Sequence, residues 1–450
     1  MRLTILGGGG FRVPLVFRAV SGDGADPAAL GVDELVLYDV SAERLGVIGA
    51  VLEELRVPCS PRVRTTTDLT DAVRGADFVF SAIRVGGLAG RVCDERVAMA
   101  HGVIGQETTG AGGVCYGLRT VPTAVRVAET VAEHAPSAWV INFTNPAGMV
   151  TEAMRRSLGE RVIGICDSPV GLFRRVARAL EIDPADAVFD YAGLNHLGWL
   201  RAVYVDGADR LPELLADGPL LRRIEEGRLF GPEWLRTLGA IPNEYLWYWY
   251  FRTDALAAEL TSRETRGEFL REQQEAFYAA AAKDPTTAYA AWEATRRQRE
   301  ETYMADSREL TGSGERDPYD LDGGGYDAVA LAVMRAVARD EPSDLVLNVA
   351  NRGTLPFLDD EAVVEVPCRI DAGGPRPRPV GRLDLHAQGL VTSMKAVERT
   401  TVEAALTGSR ELAVRALATH PLVGAVPVAR AVLDDQLAAV PELAAVIRRD

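Results

Sequence analysis

The sequence predicts an α/β protein, with a doubly wound parallel sheet in its first part and an α+β arrangement in its C-terminal part. Three observations predict it. Short apolar stretches of strand length alternate with amphipathic stretches of helix length up to Leu180. The first of these strands runs straight into Gly7-Gly8-Gly9-Gly10. After Asp183 the pattern changes to longer strands and irregular, aromatic-rich connections. Strands separated by helical segments form right-handed βαβ units and a parallel sheet. The change of pattern sets the expected domains at 1–168 and 169–450.

The first strand spans 3–6. Gly7 and Gly9 then fit the first two positions of G-x-G-x-x-G, where absent side chains permit a tight turn and close approach of a pyrophosphate to backbone N–H groups. The third position is Arg12, so the fingerprint is incomplete. The second strand, over 34–38, ends in Asp39, a carboxylate suited to the adenosine ribose. A polar insert over 21–33 lengthens the interval before it. Helix 42–55, strand 62–66, helix 69–75, strand 77–82, helix 120–134, strand 139–143, helix 146–158, strand 161–166 and helix 170–180 continue the alternation. Topology then brings Gly7, Asp39, Arg84, Asn145 and Cys166 to one edge, the carboxyl ends of the strands, where open α/β sheets bind ligands. The reading is a Rossmann-type NAD site that includes Gly7, Gly9, Gly10, Phe11, Asp39, Arg84 and Asn145.

Within this half, a helix carrying Arg91, Asp94 and Glu95 leads into a glycine-rich loop over 102–113 with Gln106 and Glu107. The charges suit a solvated helix face, and the loop equally suits a sugar or a phosphate. At Cys166-Asp167-Ser168-Pro169 a thiol and a carboxylate stand at a strand end. They are either a buried small hydrophobe and a helix cap, or a functional pair.

In the second half, Asn195-His196 lies thirty residues beyond Cys166. No CxxC or HExxH spacing marks a structural zinc site, but a cysteine and a histidine from separate elements can hold a metal with open positions for substrate oxygens. Residues 241–250 form a dense aromatic patch, of which one tyrosine near a cation would serve as a base. Strands are expected over 344–350 and 362–370, a low-complexity linker over 372–379, and amphipathic helices over 388–406 and 411–418 that cover the sheet or pair subunits.

Composition bounds the function classes. Among 450 residues, 47 % are apolar and 25 % charged, ordinary for a globular chain. No apolar run approaches the roughly 20 residues of a bilayer span, and the N-terminus lacks signal-peptide organisation. Five scattered cysteines give no disulfide framework, so a reduced, cytoplasmic protein is expected. A net charge of −15 argues against binding nucleic acid or an anionic membrane. An anionic substrate needs only a local arginine cluster.

With these motifs in order the chain resembles glycoside hydrolase family 4, the NAD- and divalent-metal-dependent glycosidases that depart from the usual two-carboxylate scheme. The resemblance covers nearly the whole chain. It rests on the glycine start, Arg91-x-x-Asp94-Glu95, Gly105-Gln106-Glu107-Thr108, Thr144-Asn145-Pro146-Ala147-Gly148, Cys166-Asp167-Ser168-Pro169, Asn195-His196, Glu244-Tyr245-Leu246, Thr265-Arg266-Gly267-Glu268 and Val364-Glu365-Val366-Pro367. It implies that Cys166 and His196 ligate a metal, with Mn²⁺ the expected ion, and that Tyr245 is the catalytic base. It implies further that Asn145 and Asn195 contact the sugar, while Arg91 and Arg266 bind its 6-phosphate.

The implied reaction oxidises C3 of the sugar with NAD⁺, removes the C2 proton, eliminates the aglycone, adds water and returns the hydride. Asp167 resembles the leaving-group acid of 6-phospho-α-glucosidases. The contexts Pro242-Asn243-Glu244-Tyr245-Leu246 and Ser168-Pro169-Val170-Gly171-Leu172 look more like the 6-phospho-β-glucosidase branch, which is the favoured reading. The family also suggests a homodimer or homotetramer. The same architecture is lactate/malate dehydrogenase-like. A hydroxy-acid dehydrogenase would use His196 as proton acceptor and leave Cys166 and the 245–250 aromatics without a role.

Overall fold

Strands β1 (Arg2–Leu6), β2 (Glu34–Tyr38), β3 (Arg62–Thr66), β4 (Phe78–Ser81), β5 (Trp139–Asn142) and β6 (Val162–Gly164) pair in parallel in the order β3-β2-β1-β4-β5-β6. This is the Rossmann order, with a crevice where the strand sequence reverses beside β1. The computed structural model describes residues 1–22, 30–303, 308 and 325–448, so residues 23–29 of the expected insert lie outside it. β1, β2 and β4 are buried almost throughout because helices cover both faces, whereas β3, at the edge, is only partly covered.

The sheet does not stop at β6. Asn348 of β11 (Ser343–Ala350) pairs with Gly164. The sheet then runs on antiparallel through β12 (Val363–Asp371), β7 (Ala187–Leu194), β8 (Leu197–Val205) and β10 (Ile241–Pro242). Two short strands, β9 (Ala208–Asp209) and β13 (Gly374–Pro377), pair with β8 and β12. The expected linker over 372–379 is therefore a strand in part, held to β12 despite its proline and glycine content.

One helix starts well before its expected position. Helix Ala111–His134 takes in Gly112, Gly113 and Gly117, which by propensity argue for a loop. Packing overrides propensity here. A Cβ on Gly117 would stand 2.4 Å from Met149 Sδ, and one on Gly113 would stand 2.4 Å from the Thr108 carbonyl oxygen. Val114, Leu118 and Val121 of this helix share an apolar core with Val397, Leu417 and Leu433. The C-terminal helices Leu385–Thr407, Arg410–Thr419 and Val426–Ala439 thus pack on helices of the first half. All five cysteines are free thiols, and no helix among the described residues is long and apolar enough to cross a membrane.

Candidate active site

A cleft of about 1470 Å³ opens along the carboxyl ends of the parallel strands, walled on one side by the glycine loop and on the other by helices of the second half. The loop is tightly built. Gly7 has φ +85°, and a Cβ there would lie 2.6 Å from the Ala82 carbonyl oxygen; at Gly8 it would lie 2.7 Å from Leu37 Cβ. The N–H groups of Gly7 and Gly8 donate to the Tyr38 carbonyl at 2.9 and 2.6 Å. Asp39 accepts from the Gly9 N–H and the Ser41 N–H, both at 3.0 Å. Gly7, Gly10, Phe11, Asp39, Arg84 and Asn145 all line the cleft. Gly9 acts through its peptide, and the Phe11 ring packs against Phe277 rather than standing free.

One cluster lining the cleft is rich in arginines. Helix Gly87–Ala100 buries Arg91, Asp94 and Glu95, so its charges are not a solvated face. Arg91 Nε donates to Glu95 at 2.8 Å and Nη1 to Glu107 at 2.7 Å, while Arg84 Nη1 reaches the other Glu107 oxygen at 2.5 Å. Burial works to raise the Glu107 carboxyl, but Arg84 and Arg91 override it and hold it at about 2. Glu95 also accepts from the Gly267 N–H at 2.7 Å, and Arg96 Nε donates to Glu268 at 2.8 Å. These contacts clasp the start of helix Arg266–Lys283 to the first half. Arg266 donates to Thr302 Oγ1 at 2.7 Å and to the Arg299 carbonyl at 2.8 Å. Burial, with Arg12, Arg266 and Arg91 crowding it, lowers the Arg299 guanidinium to about 9. Glu300 opposes this shift, and an anion beside these arginines would relieve their mutual repulsion.

A second, neighbouring cluster holds thiol, imidazole and phenol. β6 closes at Gly164, so Cys166, 5 % exposed, and Asp167 sit just before helix Ser168–Leu180. His196 occupies the two-residue turn between β7 and β8 at φ +63°, a left-handed conformation that costs roughly 1 kcal/mol for a residue with a Cβ. Its surroundings hold it there. Gln106 Oε1 accepts from the N–H groups of Thr108 and Thr109, both at 2.6 Å, and this sets Thr108 Oγ1 3.0 Å from His196 Nδ1. The His196 ring stacks on Tyr245 with centroids 3.8 Å apart. Burial lowers the imidazole to about 4, so it is neutral near pH 7 with Nε2 available to a metal. Burial, with Glu365 and Asp167 nearby, pushes the Cys166 thiol up.

Tyr245 is likewise pushed well above its ordinary value, by burial and by Glu244. Its hydroxyl lies 3.1 Å from that of Tyr303, which donates to Glu244 Oε1 at 2.8 Å; Ser168 Oγ donates to the same oxygen at 3.2 Å. Glu244 is raised to about 7 by burial and by Glu225 and Glu226, with which it shares Arg175. Among the described residues no three His, Cys, Asp or Glu side chains group to hold a metal. A pair, Cys166 and His196, fits only an open site completed by substrate or water.

Cys166, Asp167, His196, Tyr245, Arg91 and Arg266 thus share one cleft. Asn195 does not. It borders a smaller cavity of about 40 Å³, which His196 also lines, and its amide donates to Glu365 at 3.0 Å. Glu365 also accepts from Asn348 at 3.0 Å and Tyr191 at 3.1 Å. Sequence reasoning missed Arg12, Arg299, Tyr303 and Glu244 as wall residues. Arg12 left a signal, since it replaces the third glycine of the fingerprint. Its guanidinium lies 3.8 Å from Asp167 and over the Tyr326 ring at 5.0 Å.

Two family models account for most of the chain. The family 4 glycosyl hydrolase model matches residues 2–182, and the family 4 glycosyl hydrolase C-terminal domain model matches 191–423. A probable 6-phospho-β-glucosidase of Bacillus subtilis is 32 % identical over 98 % of this chain and 96 % of its own. The 6-phospho-α-glucosidase 1 of Lacticaseibacillus paracasei is 31 % identical over 90 % of each chain. The structure of the 6-phospho-β-glucosidase of Thermotoga maritima with manganese, NAD⁺ and glucose 6-phosphate superposes with a TM-score of 0.82 at 27 % identity, over 100 % of both chains.

Proposed function

Since the chain belongs to the family 4 glycosyl hydrolases, we propose that it hydrolyses 6-phosphorylated β-glucosides with NAD⁺ and a divalent metal, Mn²⁺ foremost. The observation that carries this reading is a single cleft in which the glycine loop, the pair Cys166 and His196 with Tyr245, and an arginine-rich wall all meet. When bound, the dinucleotide supplies reversible hydride transfer at C3 of the sugar and the cation polarises the resulting carbonyl, which acidifies the neighbouring C–H.

The chain's own residues do the rest. Arg91 and Arg266, with Arg299 between the two halves, hold the 6-phosphate by charge-assisted hydrogen bonds. Gly7, Gly10 and Asp39 seat the dinucleotide, and Arg84 and Asn145 line the passage between it and the sugar. Cys166 and neutral His196 are the metal's protein ligands. Cys166 gives up its proton to bind, so affinity rises with pH. Tyr245 removes the C2 proton, and its phenol must be lowered by the bound cation because burial and Glu244 push it the other way. Tyr303 then offers that proton a path to Glu244 Oε1.

Asp167 favours a second reading, a 6-phospho-α-glucosidase, in which it protonates the leaving oxygen. The test uses reduced protein with NAD⁺ and Mn²⁺ on the nitrophenyl α- and β-glucoside 6-phosphates, with unphosphorylated glucosides as controls. Release from the β-6-phosphate alone, lost when either cofactor is omitted, is the expected result. Release from the α-compound instead would transfer the leaving-group role to Asp167.

A further inference from the structure

The glycine loop is held from behind by the second half of the chain. Four successive glycines are the most freely jointed backbone a sequence can offer, and ordering them on binding would cost affinity. In this structure the ordering is already done. The Gly7 and Gly10 carbonyls accept from the Gly10 and Val13 N–H groups at 2.8 and 3.1 Å. The Gly9 carbonyl accepts from Tyr278 Oη at 2.6 Å, the Phe11 carbonyl from Trp292 Nε1 at 2.8 Å, and the Arg12 carbonyl from Tyr326 Oη at 2.8 Å. The three donors stand on three helices, Arg266–Lys283, Ala288–Glu301 and Tyr326–Arg339. The Arg44 guanidinium lies over the Tyr278 ring at 4.2 Å, and the Phe11 ring sits against Phe277 at 5.5 Å and Trp292 at 6.2 Å.

The N–H side is different. Those of Phe11 and Arg12, at the start of helix Val13–Ser21, make no hydrogen bond among the described residues. With these carbonyls engaged and two N–H groups left over at a helix N-terminus, the loop presents donors to an anion.

We infer that Tyr278, Trp292 and Tyr326 are positioning residues for the dinucleotide: by holding three loop carbonyls they pre-set the pyrophosphate seat, and they govern how tightly and how long NAD⁺ stays. The inference rests on the dinucleotide reading of the loop. Its physical content is preorganisation, in which affinity comes from order established before binding. A cofactor restored in every turnover gains from slow release, and a clamp built from the second half supplies it.

The test is NAD⁺ binding by calorimetry and stopped-flow displacement on protein stripped of cofactor, without substrate. Tyr278→Phe and Tyr326→Phe each remove one oxygen and keep the ring. Each weakens NAD⁺ binding about five-fold, and together they weaken it on the order of 20-fold, chiefly through faster dissociation. Trp292→Phe acts in the same direction. Tyr289→Phe, on the helix of Trp292 but bonded to Arg18 and not to the loop, keeps wild-type binding. In cofactor-free protein, amide exchange over Gly8–Arg12 speeds up in the first two variants and not in the control. Wild-type affinity and dissociation rate in the double variant would overturn the clamp, as would equal weakening by Tyr289→Phe. If wild-type protein itself fails to bind NAD⁺, the dinucleotide reading falls instead.

Discussion

Two neighbouring clusters of the cleft bury the same side chain to opposite effect. In the arginine cluster Glu107 lies between Arg84 and Arg91 and is held at about 2. In the phenol cluster Glu244 shares Arg175 with Glu225 and Glu226 and is pushed up to about 7. Burial raises both carboxyls; the number of cations against the number of competing carboxylates decides where each one settles. The first cluster is an ionic lattice, suited to holding an anion in one place. In the second, a carboxyl raised by burial and by its acidic neighbours is suited to taking up a proton and giving it back.

The largest expected effect separates chemistry from holding. Tyr245→Phe removes the base and no member of the arginine cluster. Turnover should fall by about 10²–10⁴-fold, while NAD⁺ affinity and the inhibition constant of glucose 6-phosphate stay within a factor of about two. Steady-state kinetics with product inhibition checks it. A variant that kept its turnover would remove Tyr245 from the mechanism.

Arg91→Ala acts on the arginine cluster and should have the opposite signature. It leaves Glu95 and Glu107 short of a cation, and breaking a buried ion pair costs about 3–5 kcal/mol. We expect a fall in melting temperature and a loss of on the order of 100-fold in kcat/KM for phosphorylated substrate, carried by KM. Arg91→Lys restores charge without the bidentate fork and should recover only part of the loss. Equal losses on phosphorylated and unphosphorylated glucosides would show that Arg91 has no part in phosphate binding.

The contrast between the carboxyls also fixes a sign for stability against pH. Glu107, lower in the fold than its ordinary 4.5, stabilises the protein above that value, and the stabilisation is lost as pH falls toward about 2. Glu244, higher in the fold, binds its proton better folded than unfolded. Its contribution is full below about 4.5 and is lost as pH rises through about 7. Glu244→Gln should therefore gain on wild type in thermal unfolding as pH rises from 5 to 8. Glu107→Gln should lose throughout that range and recover only below pH 4.5. Parallel melting curves for Glu244→Gln and wild type would mean that Glu244 is not raised.

Much of this contrast was invisible in the sequence. The parallel half was legible because each of its strands is a short apolar run ended by a turn or a polar residue. β2 and β3 fall where the pattern put them, and the strand-end residues Gly7, Asp39, Arg84, Asn145 and Cys166 border one cleft. The opposite wall was not. Arg299 and Tyr303 lie toward the end of a long charged helical stretch whose pattern does not say which side faces the cleft, and only the tertiary fold brings them to it. At Asn195 the sequence does not show the partner that the fold gives it, Glu365, which lies 170 residues further along the chain. Propensity misled at Gly112 and Gly113, where close packing, not looping, is what the missing side chains provide.

The smallest expected effect tests whether the phenol cluster works as a chain or as a lone base. Tyr303 is the link between Tyr245, at 3.1 Å, and Glu244, at 2.8 Å. Tyr303→Phe removes that link and leaves both ring positions filled, so packing is kept. With one hydrogen bond of about 1 kcal/mol lost, kcat should fall about five-fold at unchanged KM. Glu244→Gln, which cannot take up a proton, should give a similar loss, and the double variant should be no worse than either single one, because all three interrupt the same route. Additive losses would mean that the two residues act separately, Tyr303 by orienting Tyr245 and Glu244 by fixing the Arg175 cluster. The proton would then leave Tyr245 directly to solvent in the cleft.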